Sequence, residues 1–160
     1  MGATGAAAEW NPVWLTLFIL IAVLILAGVT AFVIYARSRI SLVREEVTRK
    51  YRSQNILFRD DFANLCGIES LGKGQVSGNG VVLLTETLFI FNLFMPRRET
   101  IVPREMIRRI EMPAYYMGKA RLKPVVKLTY GTADGVKDSL GVLVKEPEAL
   151  VRALRLADGK

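Results

Sequence analysis

The sequence predicts one N-terminal transmembrane α-helix followed by a small, mainly-β domain that a C-terminal helix caps. Three observations predict it. Residues 14–35 form an uncharged apolar run. From about Gly67 the apolar residues fall into short alternating runs punctuated by glycine and proline. After the last of these runs, Leu150, Val151 and Leu154 return to helical spacing. The expected organisation is an extracytoplasmic tail over residues 1–13, the span over 14–36, a basic helical linker over 37–65 and one β domain over 66–157. A 160-residue chain that gives up this much to a span and its flank has material left for a single small core.

The span reads WLTLFILIAVLILAGVTAFVIY, with fourteen of its residues Leu, Ile, Phe or Val. At about 1.5 Å per residue this is a helix roughly 30 Å long, the thickness of the hydrocarbon layer. Trp10 and Trp14 mark one interface and Tyr35 the other. A cleaved signal peptide is the rival, because Val29, Thr30 and Ala31 imitate a small-residue cleavage site. The tail MGATGAAAEWNPV lacks the basic residues of a signal peptide, however, and the apolar run exceeds a signal's core. Gly2 invites N-myristoylation, but Ala6 stands where that motif needs Ser or Thr. Ala27 and Ala31 form a small-xxx-small pair that suits close packing of two spans.

No basic residue precedes the span, while Arg37, Arg39, Arg44, Arg49, Lys50 and Arg52 follow it directly. The positive-inside rule then predicts the N-terminus outside and the β domain in the cytoplasm, and the expected location is the cell (inner) membrane. A net charge of +7 favours anionic partners, the inner leaflet first. The single cysteine, Cys66, forms no intramolecular disulfide, and its apolar surroundings read as those of a structural thiol. With no histidine, Cys/His zinc sites, Ser-His-Asp triads and Cys-His pairs are excluded. No catalytic residue, metal site or cofactor is expected.

In the linker, RSRISLVREEVTRKYRSQ keeps a helical stripe of Ile40, Val43, Val47 and Tyr51. Glu45 with Arg49 and Glu46 with Lys50 are expected i,i+4 ion pairs. The six juxtamembrane basic residues either hold the segment to anionic lipid or only fix topology; a short two-helix coiled coil is a third use of the stripe. NILFRDDFANLC then places Leu57 or Phe58, Phe62 and Leu65 at helical spacing, which predicts a second short amphipathic helix, with Asp60 and Asp61 as solvated charges or a cap.

Expected strands are 68–76, 79–85, 87–93, 97–103, 107–112, 124–130 and 137–144. Val126, Leu128 and Tyr130 alternate with Lys127 and Thr129, and Asp134-Gly135 supplies the tight turn to the partner run Leu140, Val142, Val144. Glu146 and Pro147 open the closing helix. Seven strands and one helix predict a small barrel or bent sandwich with its open end plugged.

The run Gly80-Val-Val-Leu-Leu-Thr85, then Leu88, Phe89 and Phe91, then Ile101, Pro103, Ile107 and Ile110, resembles the GRAM branch of the pleckstrin-homology-like (PH-like) fold over about residues 67–157. It is also similar to bacterial membrane proteins that carry such a domain after one helix. The resemblance implies a PH-like β domain with a C-terminal capping helix, and it rests on packing positions. Members of the wider fold that bind phosphoinositides use several Lys and Arg between the first two strands; the stretch Lys73 to Asn79 has one.

Gly72, Gly74, Gly78 and Gly80 match neither phosphate-loop spacing and read as turn glycines. Arg97, Arg98, Lys119, Arg121 and Lys123 fall in expected loops and are the candidate lipid- or protein-binding rim. Arg104, Arg108 and Arg109 read as charge protecting a sheet edge. Only Tyr115 and Tyr116 suit an aromatic platform for single strands, and nucleic acid is not an expected partner. The expected function is a non-catalytic, membrane-tethered module that recruits a cytosolic or membrane protein, or anionic lipid headgroups. The alternative is a structural component that self-associates as a homo-oligomer.

Overall fold

The structure, a computed structural model, describes residues 12–72, 74–75, 77–120 and 123–156. The tail with Gly2 and Trp10, and Lys73 and Val76 of the glycine-rich stretch, lie outside the described residues. Two compact units adjoin in sequence between Arg39 and Ile40.

Helix α1 (Pro12–Lys50) supplies the first unit and the start of the second. Proline suits its first turn, where the missing N–H has no partner to lose. Within the apolar run the Thr16 and Thr30 hydroxyls donate to Pro12 O and Leu26 O, both at 2.8 Å, so neither is left unsatisfied. Leu26 and Phe32 are 68% and 70% exposed, and none of the most apolar stretch is buried. A core helix of a water-soluble domain would cover these side chains; this one is long and apolar enough to cross a membrane.

In the second unit, β1 (Ile56–Ile68), β2 (Gly78–Thr85), β3 (Leu88–Leu93), β4 (Arg98–Pro103), β5 (Ile107–Glu111), β8 (Val126–Gly131) and β9 (Lys137–Leu143) form one antiparallel sheet in the order β4-β3-β2-β1-β9-β8-β5. Between β5 and β8, β6 (Tyr115–Tyr116) and β7 (Lys119–Ala120) make a separate two-stranded ribbon, which the sequence did not predict. The 132–136 turn closes through Gly135 at φ 75°, with its N–H on Thr132 O at 2.9 Å, as the Asp-Gly pair predicts.

The inner faces of β2, β3 and β4 (Val82, Leu84, Phe89, Phe91, Val102) share one core with Leu128, Leu140 and Val142 from the other end of the sheet, and with Leu150, Val151 and Leu154 of α2 (Pro147–Leu156). Ala63, Leu65 and Ile68 of β1 link the two halves of the sheet within this core. Each fully buried Leu or Phe contributes roughly 1.5–3 kcal/mol.

The outward residues of β2 and β3 (Val81, Leu83, Ile90) are covered by Val43 and Val47 from the C-terminal part of α1 and by Tyr51 just beyond it. Strand β2 is therefore buried on both faces, which explains why its sequence runs apolar without alternation. Val43, Val47 and Tyr51 of the stripe, for which a coiled coil is one of three expected uses, are covered by the chain's own sheet. Val47 is 3% exposed. Val47→Ala is expected to loosen this packing by about 1 kcal/mol, read as several-fold faster amide exchange over residues 43–51.

Four expectations need correction. Residues 55–66 are not a helix: β1 occupies 56–68, and the linker helix ends at Lys50. The ladder shifts register between Ile56 and Phe58, between Asp60 and Ala63, and between Leu65 and Gly67. Each shift inserts an odd residue, so the core-facing positions Phe58, Ala63, Leu65 and Ile68 lose the period of two and imitate a helix. The expected strand at 68–76 is instead a single 3-10 turn at Glu69–Leu71 followed by irregular chain among the described residues. Neither expected i,i+4 pair is among the ion pairs of the described residues: Glu46 pairs with Arg97 and Lys50 with Glu99, and Glu45 and Arg49 form no pair. Arg104 is buried rather than an edge charge; its guanidinium donates to Leu154 O at 2.7 Å and Thr85 O at 3.3 Å, tying the C-terminal end of α2 to the β2–β3 turn. Arg108 and Arg109 do lie exposed on the edge strand β5.

Candidate functional site

Of the predicted rim, the side chains of Arg97, Arg98 and Lys123 are described. Arg97 sits in the β3–β4 turn and is paired with Glu46, while Arg98 is exposed at the start of the edge strand β4. Lys123 is exposed beyond the β6–β7 ribbon; the Lys119 side chain and Arg121 lie outside the described residues. Nothing among the described hydrogen bonds and ion pairs joins the two groups. The tyrosine pair is also split. Tyr115 is 62% exposed, whereas Tyr116 is buried against β9 with its hydroxyl donating to Ser139 O at 3.1 Å. Burial pushes the Tyr116 phenol upward.

Glu99 on β4 is a polar hub between α1 and the sheet. It receives the Lys50 ammonium, the Tyr51 hydroxyl at 3.0 Å and the Asn92 amide at 2.9 Å. Burial alone raises a carboxyl, but these three donors outweigh it and hold Glu99 below the usual range. The bond to Glu99 raises Lys50 in turn. Lys50 therefore also serves the fold, through its pair with Glu99.

Asp138 is a second hub, 7% exposed at the start of β9. Its carboxylate accepts from Ser70 N at 3.0 Å, Ser70 Oγ at 2.6 Å, Tyr130 Oη at 3.1 Å and Ser139 N at 2.7 Å. Burial opposes the charge, yet the four donors hold the carboxyl below its ordinary value. A carboxyl lowered in this way is a poor base toward the Ser70 hydroxyl at neutral pH. The cluster joins the Glu69–Leu71 turn to the β8–β9 hairpin.

The other juxtamembrane basic residues are placed differently. Arg37 and Arg39 are exposed on α1, with Arg39 stacked 5.2 Å from the Tyr35 ring centre. Arg44, Glu45, Thr48, Arg49, Arg52 and, from β1, Arg59 line a shallow groove of about 460 Å³. Arg44 Nε and Nη2 donate to Asp61 O at 3.1 and 2.9 Å. Arg59 Nε meets Asp61 Oδ1 at 2.6 Å, and its Nη1 donates to Thr48 Oγ1 at 2.9 Å. Arg49 and Arg52 are exposed and take no part in the ion pairs among the described residues. Sequence reasoning missed Arg59 because it assigned residues 55–66 to a helix, on which Arg59 has no reason to face Thr48. Among the described residues no group of Cys, Asp and Glu side chains is placed to hold a metal ion.

No family model matches the chain, and no curated protein sequence matches it. Among solved structures it is similar to the C-terminal domain of an unknown protein from Leishmania infantum. That likeness has a TM-score of 0.52 at 11% identity and covers 76% of this chain and 99% of that one. It is also similar to a chain of the 8S snRNP assembly intermediate, with a TM-score of 0.51 at 9% identity, over 64% of this chain and 81% of that one. At these identities the likeness concerns the fold alone.

Proposed function

We propose that the chain is a non-catalytic, membrane-tethered module of PH-like type that recruits anionic lipid headgroups or a protein at the cytoplasmic face of the cell membrane. The observation that carries this reading is the wholly exposed apolar stretch of α1, followed in the same helix by exposed Arg37, Arg39 and Arg49. An uncovered apolar helix needs an apolar phase, and a basic flank orients it. The PH-like assignment is supported by the order β4-β3-β2-β1-β9-β8-β5, in which one long β1 pairs with both β2 and β9, and by α2 in the core. The non-catalytic reading is supported by the two carboxylate hubs, Glu99 and Asp138, whose hydrogen bonds serve packing contacts.

Two measurements test the proposal. In sealed, right-side-out cells the β domain is expected to resist added protease, and its digestion there overturns the orientation. Full-length protein in phosphatidylcholine nanodiscs is expected to float with vesicles that carry anionic lipid and not with purely zwitterionic ones. The effect weakens with salt, since exposed charges are screened beyond about 10 Å at 0.1 M. Equal flotation with both vesicle types removes the lipid arm and leaves recruitment of a protein, which cross-linking in intact membranes detects. Cross-linked products made only of this chain favour a self-associating structural role instead.

A further inference from the structure

We propose that the groove between α1 and β1 is a binding site for phosphate monoesters. The proposal rests on the membrane-tethered reading above and names the ligand chemistry of one of its surfaces. Four arginines, Arg44, Arg49, Arg52 and Arg59, line the groove against one acidic residue, Glu45. The residue that fixes two of them, Asp61, uses both its main-chain and its side-chain oxygen to do so.

The site combines rigid and adaptable donors. Arg44 is held by two bonds to one carbonyl, and Arg59 is held between Asp61 and Thr48, so these two guanidinium planes are fixed before any ligand arrives. Among the described residues, these bonds leave Arg44 Nη1 and Arg59 Nη2 without a hydrogen-bond partner. Arg49 and Arg52, exposed at the end of α1 and just beyond it, are able to swing over a bound group. A carboxylate is satisfied by one guanidinium fork. A compact dianion with several oxygens at tetrahedral angles uses forks arriving from more than one element, as these do from α1 and β1. The arginine stems supply apolar walls to the groove. The groove lacks aromatic side chains among its lining, which disfavours bases of a nucleic acid. Arg44 follows Tyr35 closely in the chain, so on the tethered reading the groove stays within reach of lipid headgroups. The phosphate monoester belongs either to such a headgroup or to a soluble phosphorylated compound.

The test uses the full-length protein in phosphatidylcholine nanodiscs, treated with an arginine-selective dicarbonyl and read residue by residue by mass spectrometry. One arm adds phosphatidic acid to the disc, a second adds soluble inositol hexakisphosphate, and a third adds phosphatidylserine at matched charge. Modification of Arg49, Arg52 and Arg59 is expected to slow by about tenfold, the ratio that corresponds to 1.4 kcal/mol, in the first arm, the second or both. Slowing in the first arm alone assigns the lipid source; slowing in the second alone assigns the soluble one. Arg108 and Arg109 on β5 are expected to react at an unchanged rate. Arg52→Gln, at an exposed position, is expected to abolish the protection of Arg49 and Arg59 with no loss of the folded circular dichroism spectrum. The site is overturned by no slowing in either phosphomonoester arm, by the same slowing at Arg108 and Arg109, or by the same slowing with phosphatidylserine. Protection of Arg97 and Arg98 in place of the groove also overturns the site but leaves the recruitment reading standing. The protease experiment decides the tether independently.

Discussion

Asp138→Ala is expected to destabilise the β domain by about 3 kcal/mol, a large share of the roughly 5–15 kcal/mol that holds a small domain folded. The substitution leaves the Ser70 and Ser139 amides and the Tyr130 hydroxyl aimed at a space that offers them no acceptor. Asp138→Asn keeps the shape but places an amide N–H against one of those donors, so it is expected to recover only part of the loss. The same carboxylate makes stability depend on pH, with a definite sign. Its folded pKa lies below its unfolded value of about 3.9, so its contribution is complete above that value and is lost as pH falls through the folded pKa. Glu99, also lowered, acts in the same direction. The wild-type protein is therefore expected to lose stability below about pH 4, and Asp138→Ala to show a flatter acid limb. Urea unfolding in mild detergent, followed by circular dichroism from pH 7 to pH 2, measures both effects. An alanine variant with wild-type stability, or with an unchanged acid limb, contradicts the role given to this cluster.

Gly80→Ala is expected to be at least as damaging, through a different cause. A Cβ at position 80 would collide with the Asn92 carbonyl oxygen of β3, and also with the Phe91 ring 2.7 Å away. The carbonyl is backbone within a ladder in which Gly80 pairs with Leu93 and Val81 with Asn92, so it yields only if the strands part. Overpacking of this kind costs about 1–3 kcal/mol and occasionally more; here the upper end is expected, because β2 is packed on both faces. A loss of this size lowers the Tm of a domain near 100 residues by roughly 15 °C. Gly131→Ala is the control, since a Cβ there meets nothing within 4 Å. Equal melting of the two variants would show that the cause is the general preference of strands, and not close approach.

Much of the architecture was legible in local patterns. The apolar run, the hairpin at Asp134-Gly135, six of the seven expected strands and the capping stripe Leu150, Val151, Leu154 each depend on neighbours along the chain. Strand β1 was not legible, because its three register shifts replace the alternation that marks a strand with a helix-like spacing. The fate of the basic residues was equally hidden. Charge tells that a side chain seeks an anion or water, but not which carboxylate the fold brings to it.

The sequence by itself determined that this chain has one helix apolar enough to cross a membrane, a basic flank after it and a β domain closed by a helix. These follow from composition and periodicity, which act over a few residues. Only the tertiary structure decided which charges are spent and which remain. Glu99 takes Lys50, Glu46 takes Arg97 and the end of α2 takes Arg104, while Arg59 joins Arg44, Arg49 and Arg52. These pairings join residues far apart in sequence, and their energy depends on distances that exist only once α2 has packed on one face of the sheet and the end of α1 on the other.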